Sequence, residues 1–164
     1  MYFAKEKSAI GALSAWLLMV QKDIEEGRLD TALDTTQKAL EIAQGAKIDN
    51  HIFEIYFQKY IAEIYTQKCD FSSAKMYLEK AAASAKQLNL KYQLIELYIS
   101  YAQYIQDFMR EKQMITTENA AAAKDIFKKA LNSAKLLELD NLTKQISAEY
   151  INFQTFCRMN ELEA

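Results

Sequence analysis

The sequence predicts an all-α fold, a solenoid of three stacked helix pairs followed by a terminal helix, with about seven helices in one domain spanning residues 1–164. Proline is absent and glycine occurs only three times, so few of the residues that tight turns need are available. Alanine recurs at steps of seven and four residues, which places it on one face of an α helix. That alanine pattern occurs three times, which indicates an internal repeat.

The first repeat covers about residues 5–46, with helices predicted near 5–26 and 29–46. Its second helix contains "ALDTTQKALEIA", which begins at Ala32 and repeats alanine at positions 39 and 43. Gly27 and Asp30 lie between the two helices, and both are residues that favour a turn or a helix start.

The second repeat covers about 50–88, with helices near 50–68 and 71–88, and the third covers about 91–137, with helices near 91–112 and 117–137. Their alanines are Ala74, Ala81 and Ala85 in the second repeat and Ala123, Ala130 and Ala134 in the third. In the first helices of the repeats, the equivalent positions are Val20, Ala62 and Ala102. After the second helices, the equivalent positions are Ile48, Leu90 and Leu139. About nine extra residues, within "REKQMITTEN", are expected to separate the two helices of the third repeat, and the terminal helix follows at about 141–159.

Alanine at these positions has a physical reason. A methyl side chain lets neighbouring helices approach to the short end of the usual 8–10 Å interaxial range. Large side chains are then expected to fill the remaining spaces, among them Trp16, Tyr65, Leu78 and Phe127.

The combined pattern resembles the tetratricopeptide repeat family. The resemblance rests on Trp16, Gly27, Ala32 and Ala39 in the first repeat, Ala62, Tyr65, Ala74 and Ala81 in the second, and Ala123, Phe127 and Ala130 in the third. The proline that often ends a repeat is missing, and the repeat length is near 42 residues, similar to the repeats of kinesin light chains and bacterial peptide-sensing regulators. HEAT-type helix pairs are the structural alternative. The resemblance implies a right-handed superhelix with a concave groove.

In that family the inner face of the first helices forms a groove for peptides. Carried over to this sequence, the family pattern implies a groove lined by Leu17, Gln21, Tyr56, Lys59, Glu63, Glu96, Ile99 and Gln103. Chaperone-tail-binding members hold a terminal carboxylate with basic and asparagine side chains. The corresponding positions here do not form such a clamp, so chaperone-tail binding is not predicted. An aromatic stripe from Tyr92 to Phe108 is interpreted as core packing, with a groove lining as the alternative.

The sequence offers little for catalysis. His51 is the only histidine, Cys69 falls in a predicted turn, Cys157 is expected on a helix face, and there is no glycine-rich phosphate loop. We therefore expect no enzyme activity, no cofactor and no metal. The net charge of −2 without a basic stripe argues against direct nucleic-acid binding, and no apolar run is long enough for a membrane span. Two widely spaced cysteines make a reducing, cytoplasmic location the default.

The terminal helix carries Tyr150, Phe153 and Phe156, which are expected to face broadly one side. We predict that these rings form a docking face, in a homodimer or in a longer repeat array from which this chain is a fragment. The alternative is that they pack on the small residues Ala130 and Ala134.

These observations favour a non-catalytic scaffold that binds a protein or peptide in the groove. The alternative is the ligand-sensing segment of a bacterial transcription regulator.

Overall fold

The computed structural model describes residues 2–45 and 51–162, and these residues form seven α helices and no strand. Each described helix end lies within three residues of the predicted end, so the all-α prediction is confirmed. The helices are α1 (Tyr2–Glu25), α2 (Leu29–Gly45), α3 (His51–Gln67), α4 (Phe71–Gln87), α5 (Lys91–Glu111), α6 (Thr117–Leu136) and α7 (Asp140–Met159).

The chain divides into two compact units, Met1–Gln87 and Leu88–Ala164. In the first unit α2 packs against α1 and α3, α4 packs against α3, and α1 also contacts α3. In the second unit α6 packs against both α5 and α7. Consecutive helices therefore pair within each unit, as expected for helix-pair repeats. The prediction that the whole chain forms one domain stays a prediction.

The repeat alanines are buried, as the sequence predicts. All nine are at most 1% exposed: Ala32, Ala39, Ala43, Ala74, Ala81, Ala85, Ala123, Ala130 and Ala134. Val20, Ala62 and Ala102, the matching positions of the first helices, are also at most 1% exposed. The small residues therefore mark the faces along which the helices pack.

Larger side chains fill the spaces between these faces. In the first unit Leu13, Phe57 and Ile61 form a buried cluster, against which the half-buried Trp16 packs. In the second unit the Phe127 ring is 1% exposed. Leu78 is likewise buried, so the predicted filling residues are buried or half-buried.

The extra residues of the third repeat lengthen its helices and leave a short connection, in agreement with the predicted helix bounds near 91–112 and 117–137. α5 has 21 residues where α3 has 17, and α6 has 20 where α4 has 17. Only residues 112–116 connect α5 and α6. Because this segment is rich in good helix formers and contains no proline, most of the insertion extends the helices. Thr116 then caps α6 by accepting a hydrogen bond from the Asn119 backbone N–H at 3.2 Å.

Several helices end on a residue with positive φ. Gly27, Cys69 and Glu138 have φ values of 72°, 59° and 55°. After α3 the Cys69 N–H donates to Thr66 O and the Asp70 N–H donates to Tyr65 O, and α1 and α6 end with the same pair of bonds. Leu90 and Leu139 are the N-cap residues of α5 and α7, which agrees with their predicted equivalence, whereas Ile48 lies outside the described residues.

Candidate functional site

The first unit has an apolar cleft between α1 and α3. Its volume is about 330 Å³. The lining residues are Ser14, Leu17, Leu18 and Gln21 from α1 and Tyr56 and Tyr60 from α3. Two leucines and two tyrosines thus face a space near the lower end of the volumes typical of ligand pockets.

Helical periodicity brings these side chains together. Residues 14, 17, 18 and 21 recur at the spacing of one face of α1, and Tyr56 and Tyr60 are separated by one turn of α3. Leu18 is 70% exposed, an unusually high value for a leucine beside an apolar cleft. The cleft is therefore open to solvent and presents apolar surface that a partner could cover.

Lys59 lies beside the cleft on α3, but its charge is already compensated. Its Nζ is 3.4 Å from Glu63 Oε1 and 5.1 Å from the centre of the Tyr60 ring. Only 16% of the Lys59 side chain is exposed. A lysine held by a carboxylate and an aromatic ring is poorly placed to bind a terminal carboxylate.

Gln21 contributes an amide to the cleft wall. Its Nε2 donates a hydrogen bond to Glu25 Oε1 at 3.0 Å, and the side chain is exposed. The amide oxygen is therefore oriented by an interaction within α1, and it can accept a hydrogen bond from the main chain of a bound segment.

The remaining predicted groove residues lie on α5, in the second unit. Glu96 is half-buried, and Gln103 is exposed and donates to Glu149 Oε2 at 3.4 Å. Ile99 is only 8% exposed, so it belongs to the interior rather than to a surface groove. Of the seven predicted groove residues, only Gln21 and Tyr56 line the cleft, together with Leu17 from the family pattern.

Three cleft residues were missed by the sequence reasoning, namely Ser14, Leu18 and Tyr60. Helical spacing indicates all three of them. Ser14 lies one turn from Leu17 and Leu18 lies one turn from Gln21 on α1, and Tyr60 lies one turn from Tyr56 on α3. The family pattern specifies single positions and does not include their helical neighbours.

The predicted docking rings of α7 differ in exposure. Phe153 is completely buried, with its ring centre 5.6 Å from that of Phe127, and Tyr150 contacts the same ring at 5.6 Å. The half-buried Phe156 lies 6.2 Å from Phe153, and the Arg110 guanidinium lies 4.9 Å from the Phe156 ring centre. The prediction of an exposed face is therefore wrong for Phe153, because its ring packs against Phe127 of α6 inside the unit.

A second cavity lies beside α6 and α7. It has a volume of about 960 Å³. Its described lining residues are Thr117, Lys124, Gln154, Cys157, Arg158, Glu161 and Leu162. Burial raises the pKa of the Cys157 thiol, and the nearby Lys124 opposes that shift only in part. Burial therefore favours the neutral thiol over the thiolate at this position.

Residues with catalytic potential are scattered among the described part of the chain. The His51 side chain is exposed, with Nδ1 3.8 Å from Glu54 Oε1, and Cys69 is exposed in its turn. Within residues 2–45 and 51–162, no three His, Cys, Asp or Glu side chains form a group that could hold a metal ion. In the same part of the chain, no helix is long and apolar enough to cross a membrane.

No protein-family model matches the sequence, and no curated protein matches it either.

Proposed function

We propose that this protein is a non-catalytic scaffold that binds a peptide segment, and that the α1–α3 cleft holds one apolar side chain of that segment. The observation that carries the proposal is the open cleft formed by Leu17, Leu18, Tyr56 and Tyr60. Tyrosines provide rigid, amphipathic contact area at a low cost in side-chain entropy, so they are common in binding surfaces.

The chemistry of the cleft wall favours an internal segment of the ligand over a chain terminus. The Lys59 charge is compensated by Glu63, while the Gln21 amide can pair with a peptide group. A leucine, methionine or phenylalanine side chain suits a cleft of about 330 Å³.

We further propose that the repeats are of the tetratricopeptide kind and that the protein acts in the cytoplasm. The buried alanines at steps of seven and four support the first assignment. Two free cysteines, one of them exposed, support a reducing compartment.

Selection of binders from a random peptide library displayed on phage, followed by calorimetry on the selected peptides, tests the proposal. Leu18→Asp places a charge beside the cleft at a position that is 70% exposed, so it should leave folding intact and weaken binding at least about tenfold. Met19→Asp is the matched control, because Met19 is 54% exposed on the same helix and does not line the cleft. Failure to select any binder, or equal effects of the two variants, would contradict the proposal.

A further inference from the structure

Ser14 is the smallest of the described side chains that line the α1–α3 cleft. The other lining residues are two leucines, a glutamine and two tyrosines. Ser14 lies one helical turn before Leu17 and Leu18 and two turns before Gln21. It therefore marks one end of the α1 wall, about 10 Å from Gln21 along the helix axis at 1.5 Å per residue. A serine at this end leaves space that a larger side chain would fill.

The repeat register places a tyrosine at the level of this small residue. The offset of 42 residues between the first two repeats aligns Ser14 with Tyr56 and Leu18 with Tyr60. Both members of each pair line the cleft, which agrees with this alignment. Equivalent residues of stacked repeats lie at a similar level on neighbouring helices. One end of the cleft therefore combines a serine with a tyrosine, and the next turn combines a leucine with a tyrosine.

The burial of the lining side chains shows where a ligand can enter. Leu18 is 70% exposed and so lies at the rim of the cleft, whereas Leu17, Tyr56 and Tyr60 are half-buried. The space that Ser14 leaves is thus bordered by apolar side chains that keep part of their surface accessible. An aromatic side chain placed there contacts a tyrosine ring, and aromatic pairs gain free energy beyond the burial of their apolar area.

We propose that Ser14 determines which side chain the cleft selects, and that this side chain is an aromatic ring of the bound segment, packed beside Tyr56. The inference rests on the proposed function, because it requires that a peptide binds in the cleft. Ring contact with Tyr56 gives phenylalanine an advantage over leucine or methionine. A leucine at position 14 would occupy the same space as the ring and exclude it.

The probe is the tightest peptide from the display selection, with its anchoring side chain located by an alanine scan. Versions of this peptide with phenylalanine, leucine or alanine at the anchor position are compared by calorimetry on the full chain. The wild-type protein should bind the phenylalanine version at least about threefold more tightly than the leucine version, because only the ring gains the contact with Tyr56. The alanine version should bind most weakly.

Three variants separate the size of residue 14 from its other properties. Ser14→Leu should weaken binding of the phenylalanine version at least about tenfold and that of the alanine version less than about threefold. Ser14 is exposed and leucine is a good helix former, so the thermal melt of this variant should show an intact fold. Ser14→Ala keeps the space and should change neither affinity more than about twofold. Ala15→Leu is the matched control, because Ala15 is exposed beside Ser14 and is not among the cleft residues.

The outcomes distinguish this inference from the proposed function. Equal affinities for the phenylalanine and leucine versions would overturn the inference, and so would equal effects of Ser14→Leu and Ala15→Leu. The proposed function would survive either result if Leu18→Asp still weakens binding and Met19→Asp does not. If Leu18→Asp has no effect on binding, the proposed function fails and the inference fails with it.

Discussion

At the scale of single residues, the helix ends explain why this chain needs so little glycine. Cys69 and Glu138 occupy the left-handed backbone position that Gly27 occupies after α1. A side chain with a Cβ in this region costs free energy that glycine avoids. The native sequence therefore gives up some stability at these two turns.

Cys69→Gly and Glu138→Gly should each raise the free energy of unfolding by about 0.5–1 kcal/mol, because the relief of backbone strain exceeds the added entropy of the unfolded chain. Urea melts would measure the change. Gln67→Gly, inside the last turn of α3, is the control and should lower stability instead. A loss of stability in the first two variants would contradict the assigned turn geometry.

The ionisation of Asp70, the residue before α4, makes part of the folding stability depend on pH. Its carboxylate accepts hydrogen bonds from Ser73 Oγ at 2.7 Å and from the Ser73 backbone N–H at 3.2 Å, and these bonds lower its pKa below 3.8. Because the folded state favours the charged form, the contribution of Asp70 to stability is present above pH 3.8 and is lost as the pH falls through the lowered pKa.

Thermal melts of wild type and Asp70→Asn should therefore differ at pH 7 and converge as the pH is lowered below 3.8. Ser73→Ala should remove most of the same pH-dependent difference, since it deletes the hydroxyl donor. If the difference in melting temperature between wild type and Asp70→Asn stays the same at low pH, it arises from something other than the ionisation of Asp70.

At the scale of helices, the buried alanines determine how closely each helix packs on its neighbours. Ala81→Leu and Ala130→Leu should each lower the free energy of unfolding by about 1–3 kcal/mol through overpacking. Ala83→Leu and Ala122→Leu are the controls, because these alanines are exposed on the same two helices. Identical urea midpoints for all four variants would refute the proposed role of small residues.

The packing of α7 gives a second prediction at this scale. Phe153→Ala should cost about 3–5 kcal/mol, since it removes a fully buried ring that contacts Phe127. Phe156→Ala should cost less than half as much, because that ring is only half-buried and lies against the Arg110 guanidinium. Calorimetric melts of the two variants would check the order, and a larger loss for Phe156→Ala would reverse the interpretation of α7 as a helix packed inside its own unit.

The helices and their packing faces could be predicted from the sequence, because the spacing of the alanines depends only on the sequence of each helix and not on tertiary contacts. The cleft was predicted only in part. Ile99 was assigned to a groove yet is buried, because its environment depends on tertiary packing that helical spacing does not encode. The prediction that Phe153 is exposed fails for the same reason, because the burial of its ring depends on the packing of α7 against α6.

At the scale of the whole molecule, the central claim is that a peptide binds in the α1–α3 cleft of the first unit. Methyl NMR of the full chain, titrated with the tightest peptide from the display selection, tests this claim most directly. The account predicts that the methyl signals of Leu17 and Leu18 shift in a saturable manner, while those of Ile42 and Leu136, exposed elsewhere at 49% and 80%, do not. Saturable shifts at Leu136 with unchanged signals from Leu17 and Leu18 would contradict it.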